Sequence, residues 1–174
     1  NLALAASRES EDRLGEARVL SEGQYLAVGN SPLDYSGDFT VQFWARVEEP
    51  LVYDAAPYAD WSNVARGGLF LFLSYDSDVV TFCHYRPDER CLFGTRPTDG
   101  EWHFWRVVRS TGDGRLSLCI DGVENVQTPL PANLDMTSDE APRLGRNVVY
   151  NPAYFGGSLD EVRVFAEALP CSTD

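Results

Sequence analysis

The stretch DGEWHFWRVVRSTGDGRLSLCIDG, Asp99 to Gly122, gathers His103, Trp102, Trp105, several arginines and a ring of acids. Those residue types are the raw material of acid–base catalysis. A histidine acts as a base when a carboxylate orients it and a nucleophile stands within reach. No G-x-S-x-G occurs in the chain, and Ser110 and Ser117 fall at hairpin positions. His103, flanked by aromatics within a β-rich run, reads as a structural imidazole. Glycoside hydrolysis needs two carboxylates on either side of one bond. Two carboxylates two to four residues apart on one strand face could do this, and neither E-x-D-x-E nor E-x-D-x-x-E is present. Asp160 and Glu161 are adjacent, so a regular strand points them to opposite faces.

Binding chemistry has better material. Sugars stack their C–H faces on aromatic rings while amides, carboxylates and arginines take the hydroxyls. YDAAPYADWSN, Tyr53 to Asn63, reads as a polar loop offering Tyr58, Asp60, Trp61 and Asn63. RNVVYNPAYF, Arg146 to Phe155, offers Tyr150, Asn151 and Tyr154. Loops at the end of a rigid scaffold are where contact surfaces usually form. The alternative for each ring is that it folds back to cover the scaffold edge. In GGSLDEVRVF, strict alternation puts Asp160 with Val162 and Val164 on the packed side. A lone buried carboxylate is costly unless paired or bound to a metal. The acids of YDSD, Tyr75 to Asp78, serve a turn as well as they would a cation.

These groups sit on a chain of 174 residues, long enough for one domain with a sizeable core. The net charge of −13 comes from 27 acids against 14 arginines, with no lysine. Such a surface repels phosphate backbones and anionic lipid, which argues against nucleic-acid partners and direct membrane insertion. The longest apolar run, Leu69 to Leu73, is too short to span a bilayer. Four cysteines allow three pairings. Cys83 and Cys91 flank a turn that a bridge would close, leaving Cys119 to pair with Cys171. An even count favours an oxidising compartment, hence an extracellular or cell-surface setting.

The elements that must position the candidates are strands. FTVQFWARV, Phe39 to Val47, alternates with period two: Phe39, Val41, Phe43, Ala45 and Val47 share a face. GGLFLFLSY is apolar on both faces and reads as a central strand. EWHFWRVV and RLSLCID form a hairpin over STGDG, and the DG pair at 121–122 turns into a further strand. GQYLAVG, VVTFCHY, PRLGR and GGSLDEVRVF add more, and AEALP reads as a short helical turn. Residues 1–20 read as a loosely ordered segment and 21–174 as the domain. The fold class is all-β: a two-sheet antiparallel sandwich or jelly roll.

Three ordered motifs carry a resemblance: YLAVGNSPLDYSGDFTVQFWARV, DGEWHFWRVVRSTGDGRLSLCIDGVE and RLGRN…YFGGSLDEVRVFAEAL. Together they resemble the laminin-G-like branch of the concanavalin A-like jelly rolls, related to the pentraxins. The resemblance implies an exported, lectin-like binding or adhesion module for a glycan or a protein, often with structural calcium. It assigns Asp160 to that calcium, with Glu22 or Ser21 from the N-terminal strand region. The chain departs from the family pattern after Trp102-His103, where Phe104, Trp105 and Arg106 follow; displayed on the concave sheet, Trp105 and Arg106 would join a ligand surface. The reading is therefore a non-enzymatic binding module. Its alternatives are a polysaccharide-active enzyme of the same fold and a spacer domain of a larger surface protein.

Overall fold

In the computed structural model, residues 17–21, 24–29, 33–60, 68–84, 90–146 and 154–172 are described. Phe39–Val47 (β3) shows why they form two layers. Its odd-numbered residues bury their side chains in one apolar core, while Trp44 and Arg46 on the opposite face stay half-buried. Along β3 lies Trp102–Ser110 (β8), with Phe43 opposite Trp105, so the two rings meet across the ladder. Arg115–Ile120 (β9) and Val123–Pro129 (β10) continue outward from β8. On the other side of β3 lie Gly157–Phe165 (β12) and then Arg18–Leu20 (β1). The first sheet runs β1-β12-β3-β8-β9-β10.

The second sheet is built from Leu26–Ala27 (β2), Arg143–Leu144 (β11), Ala55–Ala59 (β4), Leu69–Leu73 (β5), Val79–His84 (β6) and Arg90–Thr95 (β7), in the order β2-β11-β4-β5-β6-β7. Every pairing in both sheets is antiparallel. The core joins the inner faces: Val41, Phe43, Trp105, Val107 and Leu118 from the first sheet, Tyr58, Leu71, Phe82 and Leu92 from the second. As its sequence requires, β5 lies between two neighbours. Its Leu69, Leu71 and Leu73 face the core, while Phe70 joins Ala59 and Cys83 in a small outer cluster. This is an all-β sandwich of two antiparallel sheets, and no helix occurs among the described residues.

Two disulfides form. Cys83–Cys91 joins directly paired residues of β6 and β7. Cys119–Cys171 draws the C-terminal segment across the outer face of the first sheet. There Thr40 Oγ1 donates to the Glu167 carbonyl at 2.7 Å and accepts from the Leu169 N–H at 3.0 Å. Arg106 donates to the Pro170 and Ser172 carbonyls. The segment explains why Thr40 and Gln42 are buried although they face away from the core.

Four local expectations change. Residues 18–20 are not part of a loose leader: β1 pairs with β12 and buries Leu20 in the core. AEALP makes a bend rather than a helical turn, because its backbone is spent on Thr40. The Tyr53–Asn63 loop contains β4, whose small residues fit beneath the core between β11 and β5.

The fourth change concerns β12. A bulge between Asp160 and Arg163, with Glu161 at φ 48°, inserts an extra residue opposite β3. Alternation resets across it. Leu159 opposite Ala45 and Val164 opposite Val41 take the core side, and Val162 packs there too. Asp160, opposite Trp44, is turned to the outer face. The expectation that Asp160 points inward with the valines is thereby overturned.

Candidate functional site

The catalytic candidates disperse. His103 is held from both sides: Nδ1 lies 2.6 Å from Asp121 Oδ2, and Nε2 lies 2.9 Å from Asp99 Oδ1. Two carboxylate acceptors require two ring protons, so this geometry suits an imidazolium. Burial works against the charged ring, but the hydrogen bonds of Asp121 and Asp99 outweigh it and hold its pKa above the usual histidine value. With both nitrogens occupied, the ring has no free base to offer. Asp121 also accepts the Phe104 N–H at 2.9 Å and turns the chain with φ 52° into Gly122, so the cluster fastens the β9–β10 turn to β8. The adjacent acids Asp160 and Glu161 do not cooperate either. Asp160 Oδ1 accepts the Glu161 N–H at 2.8 Å, while Glu161 is paired with Arg163 at 3.3 Å.

Asp160 and Ser21 do not come together. β1 runs antiparallel to β12 with Arg18 opposite Leu159 and Leu20 opposite Gly157. Ala17 is therefore level with Asp160, and Ser21 lies four residues further on, about 13 Å along the strand. Ser21 instead closes a small turn with Gln24. No group of three histidine, cysteine, aspartate or glutamate side chains converges among the described residues. Glu22 lies outside them. The described residues thus do not fit a calcium site at Asp160, and nothing below is routed through one.

The predicted ligand surface divides. Tyr58 is only 1% exposed: its ring belongs to the core and its hydroxyl is hydrogen-bonded to that of Tyr35. Asp60, two residues along and on the same face, is equally buried. Its Oδ1 accepts the Leu69 N–H at 2.5 Å, and Oδ2 is buried with no hydrogen-bond partner beside the two phenols. Burial pushes its pKa up to about 7 against the pull of the Leu69 N–H. Neither Tyr58 nor Asp60 can meet a ligand, because β4 turns both inward. Trp105 is likewise corrected: it stacks on Phe43 in the core. Arg106, its strand neighbour, faces the other way and is consumed by Gln42 and the C-terminal segment. Adjacent strand residues never share a face, so the two could not form one surface. Trp61, Asn63, Tyr150 and Asn151 lie outside the described residues.

Tyr154 remains, and it has company. Arg146 and Tyr154 form an isolated antiparallel bridge just beyond β11. The Gly145 N–H donates to the Pro57 carbonyl and the Phe155 N–H to the Gly145 carbonyl, each at 3.0 Å. Phe155 is fully buried, so Tyr154 beside it is turned outward. Gly145 sits at φ 86° against Leu20, where a side chain would collide with Leu20 Cδ1. β2 pairs with β11, which brings Tyr25, just ahead of β2, alongside. The Arg146 guanidinium lies 5.2 Å from the Tyr25 ring centroid and 5.5 Å from that of Tyr154. Tyr25 is 43% exposed. Two tyrosines thus flank one arginine at the open edge of the second sheet. Sequence reasoning singled out Tyr154 but not Tyr25, because two non-local strands must pair before the rings meet.

The family described as the concanavalin A-like lectin/glucanases superfamily, of laminin-G type, matches residues 20–172. The chain belongs to this superfamily. Among solved structures, this superfamily member is similar to mouse laminin alpha1 chain domains LG4-5, with a TM-score of 0.69, 15% identity, 88% of this chain and 42% of that one covered. A heptameric SAP-like pentraxin from Limulus polyphemus gives a TM-score of 0.59 at 12% identity, covering 81% and 69%. The binding domain of botulinum neurotoxin DC, solved in complex with SialylT, gives 0.61 at 11% identity, covering 78% and 34%. The chain spans about a third of that toxin domain and less than half of the laminin fragment. At these identities the likeness is one of fold. No curated protein sequence matches the chain.

Proposed function

We propose that this superfamily domain is a non-enzymatic binding module for a glycan, working in an extracellular or cell-surface setting. The observation that carries the reading is the Tyr25–Arg146–Tyr154 cluster, a half-exposed pair of rings flanking a planar cation on a rigid sheet edge. Rings supply stacking surface and the guanidinium supplies directed donors, the combination that sugar recognition needs. The superfamily's glucanase members do not redirect this reading. A glycosidase holds its two carboxylates across one bond. Here the adjacent acids Asp160 and Glu161 are bound to a backbone N–H and to Arg163. The two disulfides suit an oxidising compartment.

The structural neighbours lend the fold's binding role: the toxin domains are solved with SialylT and with rat synaptotagmin II. A glycan array probed with the chain and with its Tyr25→Ala and Tyr154→Ala variants tests the proposal. Binding that both variants weaken supports it. Binding that survives both places the site elsewhere, and release of a shortened sugar on prolonged incubation would make the domain an enzyme.

A further inference from the structure

Arg146 differs from every other described arginine. Arg96 pairs with Glu49, Arg115 with Asp113 and Glu124, Arg143 with Glu140, and Arg163 with Glu161. Arg106 and Arg109 are held by backbone carbonyls, three of them in the case of Arg109. Arg46 reaches Ser158, and Arg18 and Arg90 have partners too. Arg146 meets two tyrosine ring faces and no oxygen acceptor among the described residues; its Nε is buried without a hydrogen-bond partner, as are those of Arg96 and Arg109, but those two arginines spend their terminal nitrogens on oxygen acceptors. The chain carries almost two acids for each arginine, yet no acid among the described residues pairs with Arg146.

Resting on the glycan reading above, we infer that Arg146 is the receptor for a carboxylate on the bound sugar, with Tyr25 and Tyr154 as its aromatic walls. A guanidinium is a planar fork whose paired N–H groups match a carboxylate in bidentate fashion. Rings stacked on it fix its plane in advance, so little side-chain freedom is lost when the anion arrives. The same charge balance selects among anionic sugars. A chain of net charge −13 repels a dense polyanion at long range. An isolated carboxylate, with uncharged sugar around it, pays little of that repulsion. The ligand class is therefore a glycan bearing separated carboxylates, either a hexuronate or a nonulosonic acid, rather than a heavily sulfated chain.

The test is titration calorimetry on the intact chain with four probes: sialyllactose, lactose, a hyaluronan oligosaccharide and a heparin oligosaccharide. The first against the second isolates the nonulosonate carboxylate, the third supplies hexuronate, and the fourth supplies sulfate. We expect one of the carboxylate sugars to bind at least about tenfold more tightly than lactose, as a charge-assisted hydrogen bond predicts. Arg146→Gln should erase that preference, and Arg146→Lys should restore only part of it, because charge without the fork remains. Melting curves of both variants, unchanged from the parent, establish that they are folded. Binding of both sialyllactose and the hyaluronan oligosaccharide no tighter than that of lactose, or a preference that survives Arg146→Gln, overturns the carboxylate assignment while leaving a glycan module standing. Tightest binding to heparin overturns the charge argument. Binding of none of the four, nor of any array glycan, overturns both readings.

Discussion

Replacing Asp60 by asparagine should change how stability depends on pH, and by an amount the structure sets. Asp60 is buried at the end of β4, with one oxygen on the Leu69 N–H and the other unpartnered beside Tyr35 and Tyr58. Its pKa rises from 3.8 to about 7 on folding. A carboxyl raised in this way stabilises the fold fully below its unfolded value, and that contribution is lost as pH climbs through the folded one. At about 1.4 kcal/mol per unit, the whole loss is roughly 4 kcal/mol. Between about pH 5 and about pH 8 it amounts to roughly 2.5 kcal/mol by the linkage relation.

Asparagine keeps an oxygen for Leu69 and cannot ionise, so its stability lacks this slope. Urea unfolding of parent and Asp60→Asn at the two pH values gives the difference directly. The variant should gain on the parent by about 2.5 kcal/mol on moving from the lower pH to the higher. The lowered carboxyls of Asp34, Asp38, Asp99 and Asp135 lose their stabilisation only as pH falls toward the ordinary carboxyl range, below this window. His103, whose pKa is raised by Asp121 and Asp99, contributes alike in both proteins. A parent-to-variant difference that stays constant across the window would refute the reasoning, since it would mean Asp60 is ionised or solvated throughout.

Other predictions follow from single contacts. The His103 ring, followed by NMR, should titrate above the ordinary histidine value of 6.5, and Asp121→Asn should bring it down; an unmoved midpoint would mean Asp121 does not hold the proton. Asp160→Asn should leave any response of the melting temperature to calcium unchanged, because no other described acid joins Asp160; a response lost in the variant would restore the family's calcium role. Gly157→Ala should unfold readily in urea, by more than the roughly 1 kcal/mol of an ordinary glycine replacement, since φ 147° and the Arg46 carbonyl leave no room for a methyl; parent-like stability would refute the close approach. Cys119→Ser with Cys171→Ser should cost about 3–4 kcal/mol by loop entropy for a separation of 52 residues, and should loosen the segment over Arg106; undiminished stability would count against it.

The alternation of FTVQFWARV was enough to specify a strand with one buried face, because a period of two leaves the backbone no other way to segregate those side chains. The ordered motifs, the doubly apolar β5 and the hairpin over STGDG likewise made the all-β sandwich legible without coordinates. The faces of β12 were not legible. A one-residue bulge reverses the parity of everything beyond it, and the sequence around Asp160 carries no mark of where the ladder slips. Nor could composition tell that Tyr58 and Asp60 point inward, since YDAAPYADWSN is polar enough for a loop, and Ala55 to Asp60 are buried only because β11 and β5 close around β4.

The Tyr25–Arg146–Tyr154 cluster is of the same kind: its members lie up to 129 residues apart and meet only when β2 pairs with β11. Local pattern fixes which residues leave water, because burial follows periodicity along one strand. Which polar groups then face one another is set by pairing between distant strands, and that is decided by the register of the whole sheet.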